Sequence, residues 1–190
     1  MTSHSILISG THAQAGQSLL TAALQSYVQR YGDRQSLSVM KLTHGLDLAQ
    51  TWQDYSRRRE THDWVILETS ESLGSPLAPD TTIADLAWDW RLPVILVVPV
   101  EPGGIGQAVA YAALARQTRC HLKGIILTCP CREAEICLSE WMPAEQLQQL
   151  TQVPYLGSLP HLASLEEQPE ALSKLAANLV LERFMPVWAA

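Results

Sequence analysis

Two glycines and a hydroxyl, Gly10, Gly16 and Ser18 in the stretch GTHAQAGQS, follow the apolar run Ile6-Leu7-Ile8 and precede a helical pattern. Glycines in that setting let backbone N–H groups curl around phosphate oxygens at a helix N-terminus. Five residues separate the glycines, one more than in a standard phosphate-binding loop. Where such a loop carries a lysine against the outer phosphates, Gln17 stands here. An amide donates hydrogen bonds but brings no charge. Loss of one charged contact at a transferring phosphoryl group costs ~3 kcal/mol or more of transition-state stabilisation. A tight strand-to-helix turn without a ligand fits the same residues, and both readings of the loop stay open.

Two further residues belong to the same question. Glu68 closes the apolar run "DWVILE", and with Ser18 it could share a Mg²⁺ ion, a cation that takes hard oxygen ligands. A polar residue that merely ends a strand is the plainer reading. Lys41 closes "SLSVMK" and would face a pocket or simply solvent. Cys129, Cys131 and Cys137, with His121, supply four zinc-ligand types but no C-x₂₋₄-C pair. Burial at a strand-to-helix junction suits these cysteines better than a metal. Gly103, Gly104 and Gly106 open a helix, as a close-packing or ligand-approaching turn would. No Ser/His/Asp or Cys/His constellation stands out by spacing, and His12, His44, His62 and His161 read as structural.

The elements that must position these residues alternate. Strands are expected at 5–9, 36–41, 63–68, 94–98, 122–128 and 153–156. Helices are expected at 18–31, 48–60, 82–90, 106–118, 143–150 and 169–184, with Gly32 as a stop signal for the first. Residues 69–81 read as the longest irregular stretch. The strands are nearly all-apolar, as strands buried on both faces of a parallel sheet are. Right-handed crossovers then give a three-layer α/β domain spanning residues 1–190 as one unit. Ligands in such folds sit beyond the carboxyl ends of the strands, where the 10–18 loop, Lys41, Glu68 and Thr128 fall.

Composition sets outer bounds. A chain of 190 residues, 47% hydrophobic and 17% charged, is ordinary for a globular protein with a substantial core. A net charge of −6 argues against general nucleic-acid or anionic-membrane binding. Arg57, Arg58 and Arg59 read as a solvated helix face beside Asp54 and Glu60. The longest apolar run, LPVILVVPV, is too short to cross a bilayer, and the N-terminus lacks a secretory pattern. A cytoplasmic protein with reduced thiols is expected.

Taken together, these motifs resemble the dethiobiotin synthetase family, particularly its cyanobacterial form. The likeness runs through GTHAQAGQS, VMKL and VILETSESLGSPL. It is strongest in the second half, in IADLAWDWRLPVILVVPVEPGGIGQAVAYAALARQ, LKGIILTC and VPYLGSLPHL. The resemblance implies an α/β fold of the P-loop NTPase kind and a homodimer. It also implies ATP-dependent closure of a ureido ring from 7,8-diaminononanoate and CO₂ in biotin synthesis, with Mg²⁺ and ATP as cofactors. By position, it would assign Gly10, Thr11, Gly16, Gln17 and Ser18 to phosphate, and Ser18 with Glu68 to Mg²⁺. Lys41 would face the carbamate, and Thr128 with Pro160 would lie against the nucleotide base.

Departures from the family pattern cluster in that site. The loop lysine is Gln17 and the loop's acidic residue is His12. A glycine-rich turn has become Thr69-Ser70-Glu71-Ser72, which adds a carboxylate. The lysine after "VVPV" has become Glu101, and the adenine-reading asparagine has become Thr128. A long segment after the second-strand lysine, which carries a magnesium-binding aspartate, is missing; nothing in the match selects Asp47 or Asp54 as its replacement. The changes remove positive charge or add negative charge, and like charges near a triphosphate disfavour its binding. The expectation is a degenerate ATP site on a retained scaffold. The protein is then catalytically impaired or inactive and acts by binding, with a protein partner of unknown identity. The tail from Phe184 to Trp188 is a candidate interface, against ordinary packing of a last helix. The alternative is an active synthetase with a rearranged site.

Overall fold

Six parallel strands, in the order β2-β3-β1-β6-β7-β8, form the central sheet of the computed structural model. The structure describes residues 3–32, 35–162 and 169–185. The strands are β1 (His4–Gly10), β2 (Leu37–Leu42), β3 (Trp64–Ser72), β6 (Val94–Pro99), β7 (Leu122–Thr128) and β8 (Tyr155–Leu159). A separate antiparallel pair, β4 (Pro76–Ala78) and β5 (Thr81–Thr82), lies between β3 and the following helix. The helices are α1 (Gln17–Tyr31), α2 (Leu48–Thr61), α3 (Ile83–Asp89), α4 (Gly104–Thr118), α5 (Arg132–Ile136), α6 (Leu138–Trp141), α7 (Ala144–Thr151) and α8 (Pro169–Ala177).

The all-apolar strands are buried on both faces, as their composition requires. Ile6 and Ile8 of β1, Ile66 of β3 and Ile95 and Val97 of β6 pack toward α1 and α8, with Leu20, Leu24, Leu172 and Leu175. The alternate residues Leu7, Val65, Leu67 and Val94 pack toward α2, α3 and α4 with Tyr55, Leu86 and Ala115. Leu96, Val98, Ile125 and Leu127 meet α4 and α7 through Ala108, Ala112 and Leu147. The chain therefore has the three-layer P-loop NTPase-like fold, with all the strand C-termini at one edge. No helix among the described residues is long and apolar enough to cross a membrane.

Three expectations need correction. Residues 69–81 are not irregular throughout: β3 runs on to Ser72 and the β4–β5 pair follows. The helix expected to reach residue 184 ends at Ala177, because the chain turns back onto β8. Val180 N donates to Leu156 O at 2.9 Å, and Leu179 lies against Gly157, where φ is +123° and a Cβ would stand 2.9 Å from Leu179 Cδ2. Phe184, weighed as a candidate interface against ordinary packing, packs: it is 1% exposed in the core with Met185. The rest of that tail, 186–188, lies outside the described residues. The short helices α5 and α6 follow β7 where no element was expected. Between β2 and α2 only residues 43–47 intervene.

Candidate active site

The loop between β1 and α1 is shaped by backbone constraints at its end. Gly16 caps α1 with a φ of +101°, and no side chain caps the helix N-terminus. A Cβ at Gly16 would also stand 2.7 Å from Thr128 Cγ2. Thr128 is buried at the C-terminal end of β7 and donates its hydroxyl to Ala15 O at 2.6 Å. Its side chain thus ties the loop to the sheet. Thr11 extends the pairing of β1 with β6 through a 3.1 Å bond from its N–H to Val97 O. Its buried hydroxyl has no hydrogen-bond partner among the described residues.

Gln17 is turned into the loop. Its side chain is buried, and Nε2 donates to His12 O at 3.1 Å. The amide also lies so close to Gly10 that a Cβ there would overlap it. The residue in the lysine's position is therefore occupied with holding the loop's own backbone.

On the other wall, the three remaining residues converge. Ser18 Oγ donates to Glu68 Oε1 at 2.6 Å, and Lys41 Nζ stands 3.8 Å from the same oxygen. Lys41 and Glu68 are register partners on β2 and β3, which explains their approach. Glu68 is 5% exposed, Lys41 71%. A buried carboxylate needs partners to offset its desolvation, and these two supply them. Hydroxyl and carboxylate oxygens at this spacing suit a hard divalent cation.

Past Glu68 the strand bulges. Ile8 pairs with Glu68, but Gly10 pairs with Ser72, so three residues of β3 oppose Ser9. Thr69 Oγ1 donates to Ser9 Oγ at 3.0 Å and to Glu71 O at 2.9 Å, which holds the bulge. Ser70 and Glu71 are exposed there and face the loop across a cleft of about 460 Å³. The cleft lining includes Gln14, Gln17, Ser18, Thr69, Ser70 and Glu71, and no lysine or arginine. The sequence offered no signal for the bonds of Thr69 and Ser9.

Other candidates have separate occupations. Asp47 caps α2, accepting from Ala49 N at 2.9 Å and Gln50 N at 3.1 Å, and Asp54 pairs with Arg57 at 3.5 Å. Glu101 accepts from Gln107 Nε2 at 2.7 Å. Pro160 is half-buried just after β8, next to Cys129, whose N–H donates to Leu159 O at 3.0 Å. Cys120 and Cys129 are buried, as a strand-end position suggests, but Cys131 is exposed at the start of α5. Burial pushes the Cys129 thiol up to about 11.

A family model described as an AAA domain matches residues 39–169, a span that begins after the 10–18 loop. An ATP-dependent dethiobiotin synthetase of Gloeothece citriformis is 34% identical, covering 96% of this chain and 99% of that protein. The enzyme of the same name from a Synechocystis species is 34% identical over 90% of this chain and 89% of its own length. The first alignment runs over 224 positions, more than the 190 residues here. That relative therefore carries sequence with no counterpart in this chain. Among solved structures, a cell-division protein MinD of Aquifex aeolicus superposes with a TM-score of 0.65. It covers 99% of this chain and 98% of its own at 9% identity, a likeness of fold alone.

Proposed function

Because the chain belongs to the ATP-dependent dethiobiotin synthetase family, we propose that it keeps the biotin-synthesis scaffold with a degenerate nucleotide site. In this reading catalysis is lost or strongly impaired, and the protein acts by binding, as a homodimer that engages a protein partner. One observation carries the proposal: Glu71 lines the cleft between the loop and the β3 bulge with no lysine or arginine in its lining, and Lys41 beside it is engaged by Glu68 at 3.8 Å. A triphosphate brings about four negative charges near neutral pH, and the Glu71 carboxylate in the cleft lining repels them. Gln17 offers no compensation, since its amide is committed to His12 O. The donor set for a cation fits better than the cradle for a triphosphate.

A second reading is favoured by Ser18, Glu68 and Lys41, which stand together as a working metal and carbamate site would need. Mg²⁺ bound there would supply charge neutralisation. Ser18 and Glu68 would hold it, and Lys41 would bring positive charge to the substrate side. On this reading the protein closes the ureido ring of 7,8-diaminononanoate with CO₂ and MgATP.

Calorimetric titration with MgATP, beside an active relative as control, separates the two. The degenerate site gives no heat where the control binds. Micromolar binding, roughly −8 kcal/mol, followed by dethiobiotin formation that Lys41→Ala abolishes, would establish the second reading instead.

A further inference from the structure

At the opposite edge of the sheet, away from the loop, a second cleft of about 510 Å³ opens between α2, the end of α3 and the start of β1. Its wall is aromatic. Tyr55 and Trp90 stack at 5.3 Å with 12° between their planes, and Trp52 meets Trp90 edge-on at 5.0 Å. Trp52 is 43% exposed, so this aromatic surface is open to a ligand.

Two arginines stand at the aromatic wall. Arg59 holds its guanidinium 5.7 Å from the centre of the Tyr55 ring, and Arg91 follows Trp90. Neither forms an ion pair within 4.0 Å among the described residues, although Asp89 also lines the cleft. Arg91 has a φ of +53° because it ends α3 in a left-handed cap, with its N–H on Trp88 O and Leu92 N–H on Ala87 O, and this turn sets it beside Trp90 at the cleft. Ser3 and Ser5 also line the cleft, and their buried hydroxyls have no hydrogen-bond partner among the described residues. In an acidic chain, then, unpaired guanidinium groups, stacked rings and unused hydroxyls share one recess.

We infer that this cleft binds a planar aromatic anion, its ring against Trp52 and Trp90 and its phosphate or carboxylate against Arg59 and Arg91. Arginine suits both halves of such a ligand, since it stacks on rings and forks onto oxyanions. The volume is in the range of nucleotide-sized ligands. The inference is independent of whether the loop cleft binds ATP.

The test is calorimetric titration of the full chain with adenosine monophosphate and, separately, with 2-aminobenzoate. Adenosine and inorganic phosphate are the half-ligand controls. Expected is binding below about 1 mM by at least one of the two anions, with the tighter one identifying nucleotide or compact carboxylate as the source. Where adenosine monophosphate binds, adenosine and inorganic phosphate should each bind at least about tenfold more weakly. Arg59→Gln and Trp52→Ala, both at exposed positions, should each weaken the anion about tenfold or more, with far-UV circular dichroism unchanged. Ser18→Ala should leave it as it is. Absence of heat with both anions at millimolar concentration would overturn the inference. So would binding that survives both cleft variants, or binding lost in Ser18→Ala, which would place the ligand in the loop cleft.

Discussion

At the scale of single residues, the site divides into groups that face a ligand and groups that hold the loop. Ser18 and Glu68 were legible, because Ser18 lies in the first turn of α1 and Glu68 closes the apolar run of β3, both at the sheet's ligand edge, and their types suit one cation. The occupation of Thr128 was not legible, since its hydroxyl bonds a carbonyl 113 residues away in sequence. Thr128→Val should leave Ala15 O without its buried donor and cost about 1–2 kcal/mol, measured by urea denaturation. Gly16→Ala should cost more, about 2 kcal/mol or above. It meets both the positive φ and the Thr128 methyl, and a loss of roughly 5 °C in Tm checks it. The thiols give a third expectation. Cys131 is exposed, while Cys129 is buried with its thiol pushed up to about 11. Iodoacetamide at about pH 8 should therefore label Cys131 first and leave Cys129 and Cys120 until the chain unfolds, as read by peptide mass spectrometry.

At the scale of elements, the strands and the longer helices follow from apolar period and stop signals, and their positions at the sheet edge follow in turn. The misses have physical causes. The helices α5 and α6 have five and four residues, too short to show a period. The last helix stops because Gly157 admits Leu179 against its backbone, a contact no local pattern reports. The starts of β2 and β3 are tied by a side-chain lock that sequence reading also missed. Asp63 Oδ2 accepts from both Ser36 N and Ser36 Oγ at 2.8 Å, and Asp63 N donates to Ser36 Oγ at 3.0 Å. The Ser36 backbone N–H, then its hydroxyl, hold the Asp63 carboxyl below the ordinary aspartate range. A depressed carboxyl stabilises the fold fully above its unfolded value and ceases to do so as pH falls through the folded one. Stability should therefore drop on acidification below about pH 4, and Asp63→Asn should flatten that drop. Urea midpoints across the acid range measure it; identical slopes for the two proteins would remove Asp63 from the acid response.

At the scale of the whole molecule, the proposed function sets a retained scaffold against a changed site. The three apolar layers stand with 34% identity to a synthetase along nearly the entire chain, while the lining of the loop cleft includes Glu71 and no lysine or arginine. On that reading two differences matter, and they differ in kind. Gln17 would be a local loss of one positive charge. The five-residue link at 43–47 would be a loss of material that no point change restores, in keeping with an alignment longer than the chain. Gln17→Lys should accordingly separate binding from turnover. A lysine in that position returns an attractive partner for the phosphates, and MgATP affinity should rise by about tenfold or more, roughly 1.4 kcal/mol or above. Dethiobiotin formation should stay at background, because this change returns charge and not the segment that the proposed reading counts as missing. Calorimetry gives the first quantity, and a ring-closure assay with 7,8-diaminononanoate gives the second. Full turnover in this single variant would mean that the short link costs the site nothing, and that charge alone had silenced it.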